Sequence, residues 1–382
     1  MPEPLIDIDP PGSGSLIHKA DYFGILSALF LAHGIETWAP IGQDALTDGI
    51  YSSPTTRQAP CVDNQAPGIG MARGAVTVAF PYDPRPFHPP KETDLPGGAE
   101  PYLRIGAFAA AHRYAALARI LKSVARRLAA ATGHPYTNFR VAVNSRLPEK
   151  HLAELAGLGH RGRSDLLLSH AYGPACILGV LLLPFDPLDA NPAGYVAKGS
   201  CGSGWEASCK SCHACADACP SGAITGPVDN GSGSGSGSSS DAGRNGDGKG
   251  VSVQQTYCRE ACIQHWMSTL EDPPRALLPA FSGHLYGCDA CILACPHAAR
   301  AWLPDREAGS SPASRAEALL LQAERRPGNL VSASFLKKAG DDELRTFFRK
   351  TALGLSWLGT GMIRRNADLA GHDCGIVRHA EI

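Results

Sequence analysis

The sequence predicts a chain of three parts: an α/β layered domain, a cysteine-rich module and a small all-α domain. Three observations predict this order. Strand-like and helix-like segments alternate through roughly the first 190 residues, as in layered α/β folds. Two tight cysteine runs follow, and helical periodicity then returns to the end of the chain. The boundaries fall at 1–198, 199–304 and 305–382.

Taken in order, residues 18–34 read as a first helix, and "GAVTVAF" (74–80) is a β-branched strand closed by Pro81. "YAALARILKSVARRLAAATG" (114–133) places apolar residues at helical spacing with basic residues opposite, and Gly133 ends it. The strand "FRVAV" (139–143), a short helix through 148–156, the turn "GLGHRG" (157–162) and the strand "ACILGVLLL" (175–183) complete the first part. Inside the second part, the segment 230–250 is almost all glycine, serine and polar residues, a flexible insert that cannot bury a core. In the third, "RAEALLLQAERR", "DDELRTFFRKTALGLSWLG" and "GMIRRNADLA" read as successive short helices.

Composition excludes several classes. A chain of 382 residues with 44% hydrophobic and 19% charged residues is an ordinary globular sequence, long enough for two or three domains. The formal net charge of −1 argues against wholesale affinity for nucleic acid, although a local basic face stays possible. The start "MPEPLIDIDPPGSGS" is acidic and proline-rich, without the basic start and apolar core of an export signal. The longest apolar run, "CILGVLLLPF" (176–185), is too short for a bilayer. The expected location is the cytoplasm, away from membranes, where thiols stay reduced and clustered cysteines mean metal.

Cys209, Cys212, Cys215 and Cys219 read C-x2-C-x2-C-x3-C-P, and Cys288, Cys291 and Cys295 read C-x2-C-x3-C-P. The first is the bacterial ferredoxin run, in which three close thiolates hold one iron–sulfur cluster and the fourth ligates the other. Structural zinc uses paired C-x2-C knuckles and has no need of the third interval or the proline. The reading is a ferredoxin-like domain with two [4Fe–4S] clusters. Crossover assigns Cys209, Cys212, Cys215 and Cys295 to one cluster, and Cys219, Cys288, Cys291 and an eighth ligand to the other. Cys258 and Cys262 are both open for that place. Cys176 reads as a small buried hydrophobe, and Cys61, Cys201 and Cys374 carry no assignment.

"SCKSCHACADACPSGAI", "CIQHW" and "HLYGCDACILACPHA" together resemble the iron–sulfur region of epoxyqueuosine reductases, cobalamin-dependent enzymes that complete the tRNA nucleoside queuosine. "ARGAVTVAFPYDP", "EKHLAELAGLGHRGRSDLLL", "FLKKAGDDELRTFFRKTAL" and "IRRNADLA" resemble further family segments, the last two its helical repeat tail. The resemblance implies that the first domain binds cobalamin, and its spacing selects Cys262 over Cys258. It implies reduction of an epoxide, with clusters supplying electrons singly and a side-chain acid supplying a proton. tRNA is then the substrate partner, and a flavodoxin or ferredoxin the external electron donor to a monomer.

The resemblance also brings its candidate residues. The family's aspartate, the presumed proton donor, is here Asn144, an amide that can hydrogen-bond but cannot act as a general acid. Tyr114 is what remains of the family's "DYH", a cofactor contact or surrogate proton donor, or alternatively a packing residue. Arg57 and Arg163 are candidate cofactor contacts, with Asn144 and with Asp289 between Cys288 and Cys291. "GRSDLLLSHAYGP" resembles a stretch of the reductive dehalogenases, so a corrinoid reductase of another substrate is an alternative. A non-catalytic electron carrier is a third. Lys337, Lys338, Arg345, Arg349, Lys350, Arg364 and Arg365 form a modestly basic stretch, either a tRNA-contacting face or an ordinary solvated surface.

Overall fold

Strand Gly74–Pro81 (β2) is buried along its whole length and so needs cover on both sides. In the computed structural model, which describes residues 22–52, 72–85, 102–189, 209, 211–225, 257–321, 329–355 and 358–371, that cover defines the fold. β2 lies between β1 (Trp38–Ile41) and β7 (Cys176–Leu183), and β4 (Arg140–Ala142) pairs with the other edge of β7. β2 and β7 run antiparallel over eight residue pairs, from Gly74 opposite Leu183 to Pro81 opposite Cys176. All three pairings in this sheet are antiparallel. The layering is as expected, without the parallel strands that strictly alternating βαβ units would form.

The long helix Arg113–Thr132 follows its predicted range to within a residue and stops where Gly133 takes φ 71°, the left-handed C-terminal turn that glycine accepts most cheaply. Its Leu117 and Leu121 press against β7 at Gly179, where an added Cβ would lie 2.9 Å from Leu121. Helices Tyr22–Ala32 and Glu149–Leu155 complete the same core through Leu26, Phe30, Leu152 and Ala153.

Five short strands, in two small sheets, escape sequence reading. The predicted turn at 157–162 is half of a hairpin, β5 (Gly159–Arg161) against β6 (Leu167–Ser169). A second sheet joins β8 (His284–Tyr286), β3 (Tyr102–Ile105) and β9 (Leu330–Ser332) in that order. Strands of three or four residues without a flanking apolar run, unlike β4, hold too little periodicity to be seen in a sequence.

That second sheet corrects the expected partition. Its strands come one from each of the three predicted parts, so the parts interlock rather than pack as separate layers. The tail is not all-α: it contributes β9, and its helix Pro312–Leu321 seats Ala316 in the core of the first sheet. Helices Ala333–Lys338, Asp341–Phe348 and Thr360–Gly371 share a second core with Leu103, Ile105, Ile263, Met267, Phe281 and Leu285. The glycine–serine insert lies outside the described residues.

Candidate functional site

The cysteine module is built from one-turn helices, Ala214–Asp217 and Ala290–Leu293, each carrying a cysteine and placing others in the turns beside it. Its two sequence halves are stitched by a bridge between Ile224 and Tyr257 and by the Cys258 amide donating to the Ala223 carbonyl at 2.8 Å. The thiols gather in two groups. Burial raises the Cys215 thiol, and the nearby charges of Cys209, Cys295 and Cys212 raise it further. Burial raises Cys291 far more, with Cys288 and Cys262 the nearest charges, then Cys215 and Cys219. Cys288, pushed up to about 11, answers first to burial and then, among the thiols, to Cys262 and Cys219.

Thiols so crowded resist ionisation by one another, and a bound cation or cationic cluster relieves them. Cys219 is the exception: burial opposes its charge, but hydrogen bonds from Ser221, Ile224 and Ala223 outweigh that and lower its pKa. Among the described residues, no three His, Cys, Asp or Glu side chains converge as a single ion requires. The C-x2-C-x2-C-x3-C-P spacing is what suits the thiols to a multi-sulfur cluster.

Cys262 belongs to the gathering. Cys258, four residues earlier, is exposed with its sulfur 3.7 Å from Glu260.

The thiols open on two hollows, and Cys291 lines both. Cys209, Cys212, Cys215, Cys291 and Cys295 line the smaller, about 30 Å³. Cys219, Cys262, Cys288 and Cys291 line a cleft of about 780 Å³. Small-molecule and cofactor pockets run to about 300–1,000 Å³, and this cleft lies in the upper part of that range. Tyr82, Phe108, Tyr114, Ile177 and Leu178 line it too, apolar and aromatic surface fit for a macrocycle edge or face.

The remaining sequence candidates divide. Asn144 lines the cleft, exposed, at φ 53°, a left-handed position that asparagine tolerates better than most residues. Tyr114 lines it from the start of the long helix, its hydroxyl made a much weaker acid mainly by burial. Arg163 lies at the smaller hollow, where Nε donates to the Cys212 carbonyl at 3.0 Å and Nη1 to the Thr225 carbonyl at 3.3 Å. It clamps the first cysteine run onto the hairpin and is not among the residues lining the large cleft. Asp289 does not line the cleft either. Its Oδ2 accepts the Ala107 amide at 2.5 Å, tying the second cysteine run to the start of the long helix, and burial raises it to about 6. Arg57, Cys61, Cys201 and Cys374 lie outside the described residues.

Gly173 shows how tightly the module is seated. At φ 61° its absent side chain would meet the His297 carbonyl at 2.4 Å, next to the second cysteine run. Only glycine lets the β6–β7 turn approach so closely.

Sequence reading missed Glu149. It stands on the cleft wall, its Oε1 accepting the Ser145 amide at 2.9 Å, and burial raises its pKa to about 7. The signal was present as an acid five positions after Asn144 in "NSRLPEK", but the stretch reads equally as an ordinary helix start. The basic tail thins in three dimensions. Arg364 donates to the Ala339 and Leu336 carbonyls and pairs with Asp341, and Arg365 donates to the Trp266, Thr269 and Glu271 carbonyls. Lys337, Lys338 and Arg349 are exposed.

Sheet, helices and paired thiol groups around a large cleft define the chain as an iron–sulfur type of protein with a deep ligand site. A 4Fe–4S binding domain family matches residues 205–225. The chain is 32% identical over 178 residues to the epoxyqueuosine reductase of Salmonella typhimurium, and 33% over 162 residues to that of Escherichia coli. These matches cover 46% and 42% of this chain, and only 36% and 32% of the relatives, so the chain aligns with about a third of their length. The fold is that of the same proteins. The epoxyqueuosine reductase structure from Streptococcus thermophilus superposes with a TM-score of 0.61 at 17% identity, over 92% of this chain and 80% of that one. An epoxyqueuosine reductase solved with an epoxyqueuosine-modified tRNA stem loop superposes at 0.58 and 19%, over 92% and 81%. The resemblance read from the sequence is borne out in both comparisons. Among the described residues, no helix is long and apolar enough to cross a membrane.

Proposed function

We propose that the chain is a corrinoid- and iron–sulfur-dependent reductase that converts epoxyqueuosine to queuosine in tRNA. The observation that carries this is the shared cleft, lined by Cys219, Cys262, Cys288 and Cys291 and also by Asn144, Glu149 and Tyr114. The likeness in sequence and fold to epoxyqueuosine reductases supports the substrate class.

In this reading Cys209, Cys212, Cys215 and Cys295 hold one [4Fe–4S] cluster, and Cys219, Cys262, Cys288 and Cys291 hold the second. The mutual influence of the sulfurs within each set supports the partition, and Cys258 has no part in it. The large cleft accepts the corrinoid, residues 1–198 supplying much of its wall. The clusters and corrinoid, when bound, supply the low-potential electrons. The chain's own residues do the rest. The aromatic and aliphatic wall excludes water, Asn144 offers an amide to substrate or corrin, and the acids beside it handle protons. The overall change is balanced: one epoxide takes two electrons and two protons, breaks both C–O bonds, and leaves an alkene and water. The electrons come from a flavodoxin or ferredoxin, and Lys337, Lys338 and Arg349 are the cations available to tRNA phosphates. The protein acts as a cytoplasmic monomer.

The test is anaerobic reconstitution followed by assay on epoxyqueuosine-containing tRNA with a chemical reductant. The expected result is about eight irons per chain, bound corrinoid and formation of queuosine. Stoichiometric zinc without iron overturns the cluster reading. Clusters without corrinoid binding leave an electron carrier, and full loading without turnover points to another substrate.

A further inference from the structure

We propose that Glu149 is the acid that protonates the departing oxygen, in place of the aspartate that Asn144 replaces; this rests on the reductase reading above. Two placements support it. Glu149 lines the large cleft together with Asn144, Tyr114 and the four cysteines. The Ser145 amide holds Oε1 at 2.9 Å, which fixes the carboxyl against the turn that Asn144 opens. A helix residue thus returns an acid to the neighbourhood from which the turn has lost one.

The surroundings keep that acid usable. Burial is the main influence on Glu149 and raises it to about 7, while hydrogen bonds from Ser145 and Asn144 pull the other way. A general acid is most effective when its pKa lies near the working pH. Tyr114 faces Glu149 from the long helix, and the Glu149 charge is one of the influences that make the phenol a weaker acid. The cations nearby are engaged elsewhere. Lys150 pairs with Asp165, Arg161 of β5 pairs with the same carboxylate, and Arg113 donates to the Ala107 carbonyl. On its own helix, His151 lies beside Glu154. From β7 the titratable neighbour is Cys176, which burial keeps as a neutral thiol. Asp44 is the acid in the first turn of helix Gln43–Ser52, which packs on the same short helix.

The proton bookkeeping is simple. Glu149 gives its proton to the epoxide oxygen as the first C–O bond breaks, becoming a carboxylate, and the oxygen becomes a hydroxyl. A second proton, taken up by Glu149 from solvent, accompanies the second C–O cleavage and releases water. The two electrons are those of the external low-potential donor.

The experiment compares wild type, Glu149→Gln, Glu149→Asp and the double variant Glu149→Gln with Asn144→Asp, all full-length. Iron and corrinoid content are measured for each, turnover is followed from pH 5.5 to 8.5, and the carboxyl stretch is titrated by difference infrared spectroscopy. Glu149→Gln is expected to lose about 10²–10⁴-fold in kcat with cofactors retained, and to lose the fall in rate above about pH 7. Glu149→Asp is expected to keep a pH-dependent limb, and the double variant to regain turnover. A protonated carboxyl band that titrates near pH 7 and vanishes in Glu149→Gln is the signature independent of turnover. Unchanged kcat and pH profile in Glu149→Gln overturns the proposal, as does absence of that band. Loaded wild type that leaves the epoxide untouched overturns the reductase reading instead, and the infrared titration still decides whether Glu149 is held as an acid.

Discussion

The two walls of the large cleft are made of opposite chemistry. One is thiols in a fixed pattern, Cys219, Cys262, Cys288 and Cys291, carried by one-turn helices and tight turns. The other is a sheet edge and two helices presenting Tyr82, Tyr114, Asn144 and Glu149. The thiol wall tolerates no change of spacing, because several sulfurs must reach one cluster. The acid wall tolerates relocation, because a proton can come from any carboxyl that reaches the same space. A lost donor on one residue is therefore replaceable by a neighbour, whereas a lost thiolate is not.

The largest test of this contrast is at the thiol wall. Cys262→Ser is expected to remove one cluster, dropping iron from about eight toward about four per chain and abolishing turnover. Cys258→Ser should leave iron and turnover as they were. Electron paramagnetic resonance with iron analysis reads both, and the reverse pattern breaks the ligand partition.

At the acid wall the effect should be graded. Asn144→Asp adds a second carboxyl where the resemblance expects one and should raise kcat on epoxyqueuosine tRNA by about tenfold or more, within the range of general acid catalysis. Turnover that does not rise in the corrinoid-loaded variant says that the cleft has been remade for another substrate.

The seam between the walls is tested by Gly173→Ala. The left-handed conformation and the 2.4 Å approach to the His297 carbonyl both oppose a side chain. Together they should cost roughly 2–4 kcal/mol, seen as a lower unfolding midpoint in denaturant.

The smallest effect concerns pH. Glu149 titrates higher in the folded chain, about 7, than in an unfolded one. Its favourable contribution is thus complete below about pH 4 and is lost as pH rises through about 7. Glu149→Gln should remove that dependence and gain roughly 1–2 kcal/mol on wild type at pH 8 compared with pH 5, the partial exposure of the site limiting the figure. Thermal melts at the two pH values measure it, and equal shifts at both would show that Glu149 ionises as freely as in solvent.

The longest regular elements were legible because they are periodic. β2, β7 and the helix Arg113–Thr132 follow their predicted ranges closely, since eight buried strand residues or five helical turns leave an unambiguous apolar pattern. The β8–β3–β9 sheet was not legible. Tyr102–Ile105, His284–Tyr286 and Leu330–Ser332 are too short to signal a strand, and their pairing joins distant parts of the chain, as Arg104 with His284 and Tyr102 with Ser332.

The site divides in the same way. Cysteine spacing is a local constraint, so the two runs were read from the sequence itself as a cluster-binding module, whereas the preference for Cys262 over Cys258 came from the family resemblance. Which sulfurs share a neighbourhood, however, depends on two runs about seventy residues apart meeting across the Ile224–Tyr257 bridge. The acid wall was decided by tertiary structure alone. Arg163 and Asp289 were expected at the cofactor, and the fold turned one to the Cys212 and Thr225 carbonyls and the other to the Ala107 amide. Glu149 looked like a helix start until packing partly buried it beside Asn144 and Tyr114. A side chain's acidity is set by what surrounds it, and surroundings come from distant parts of the chain.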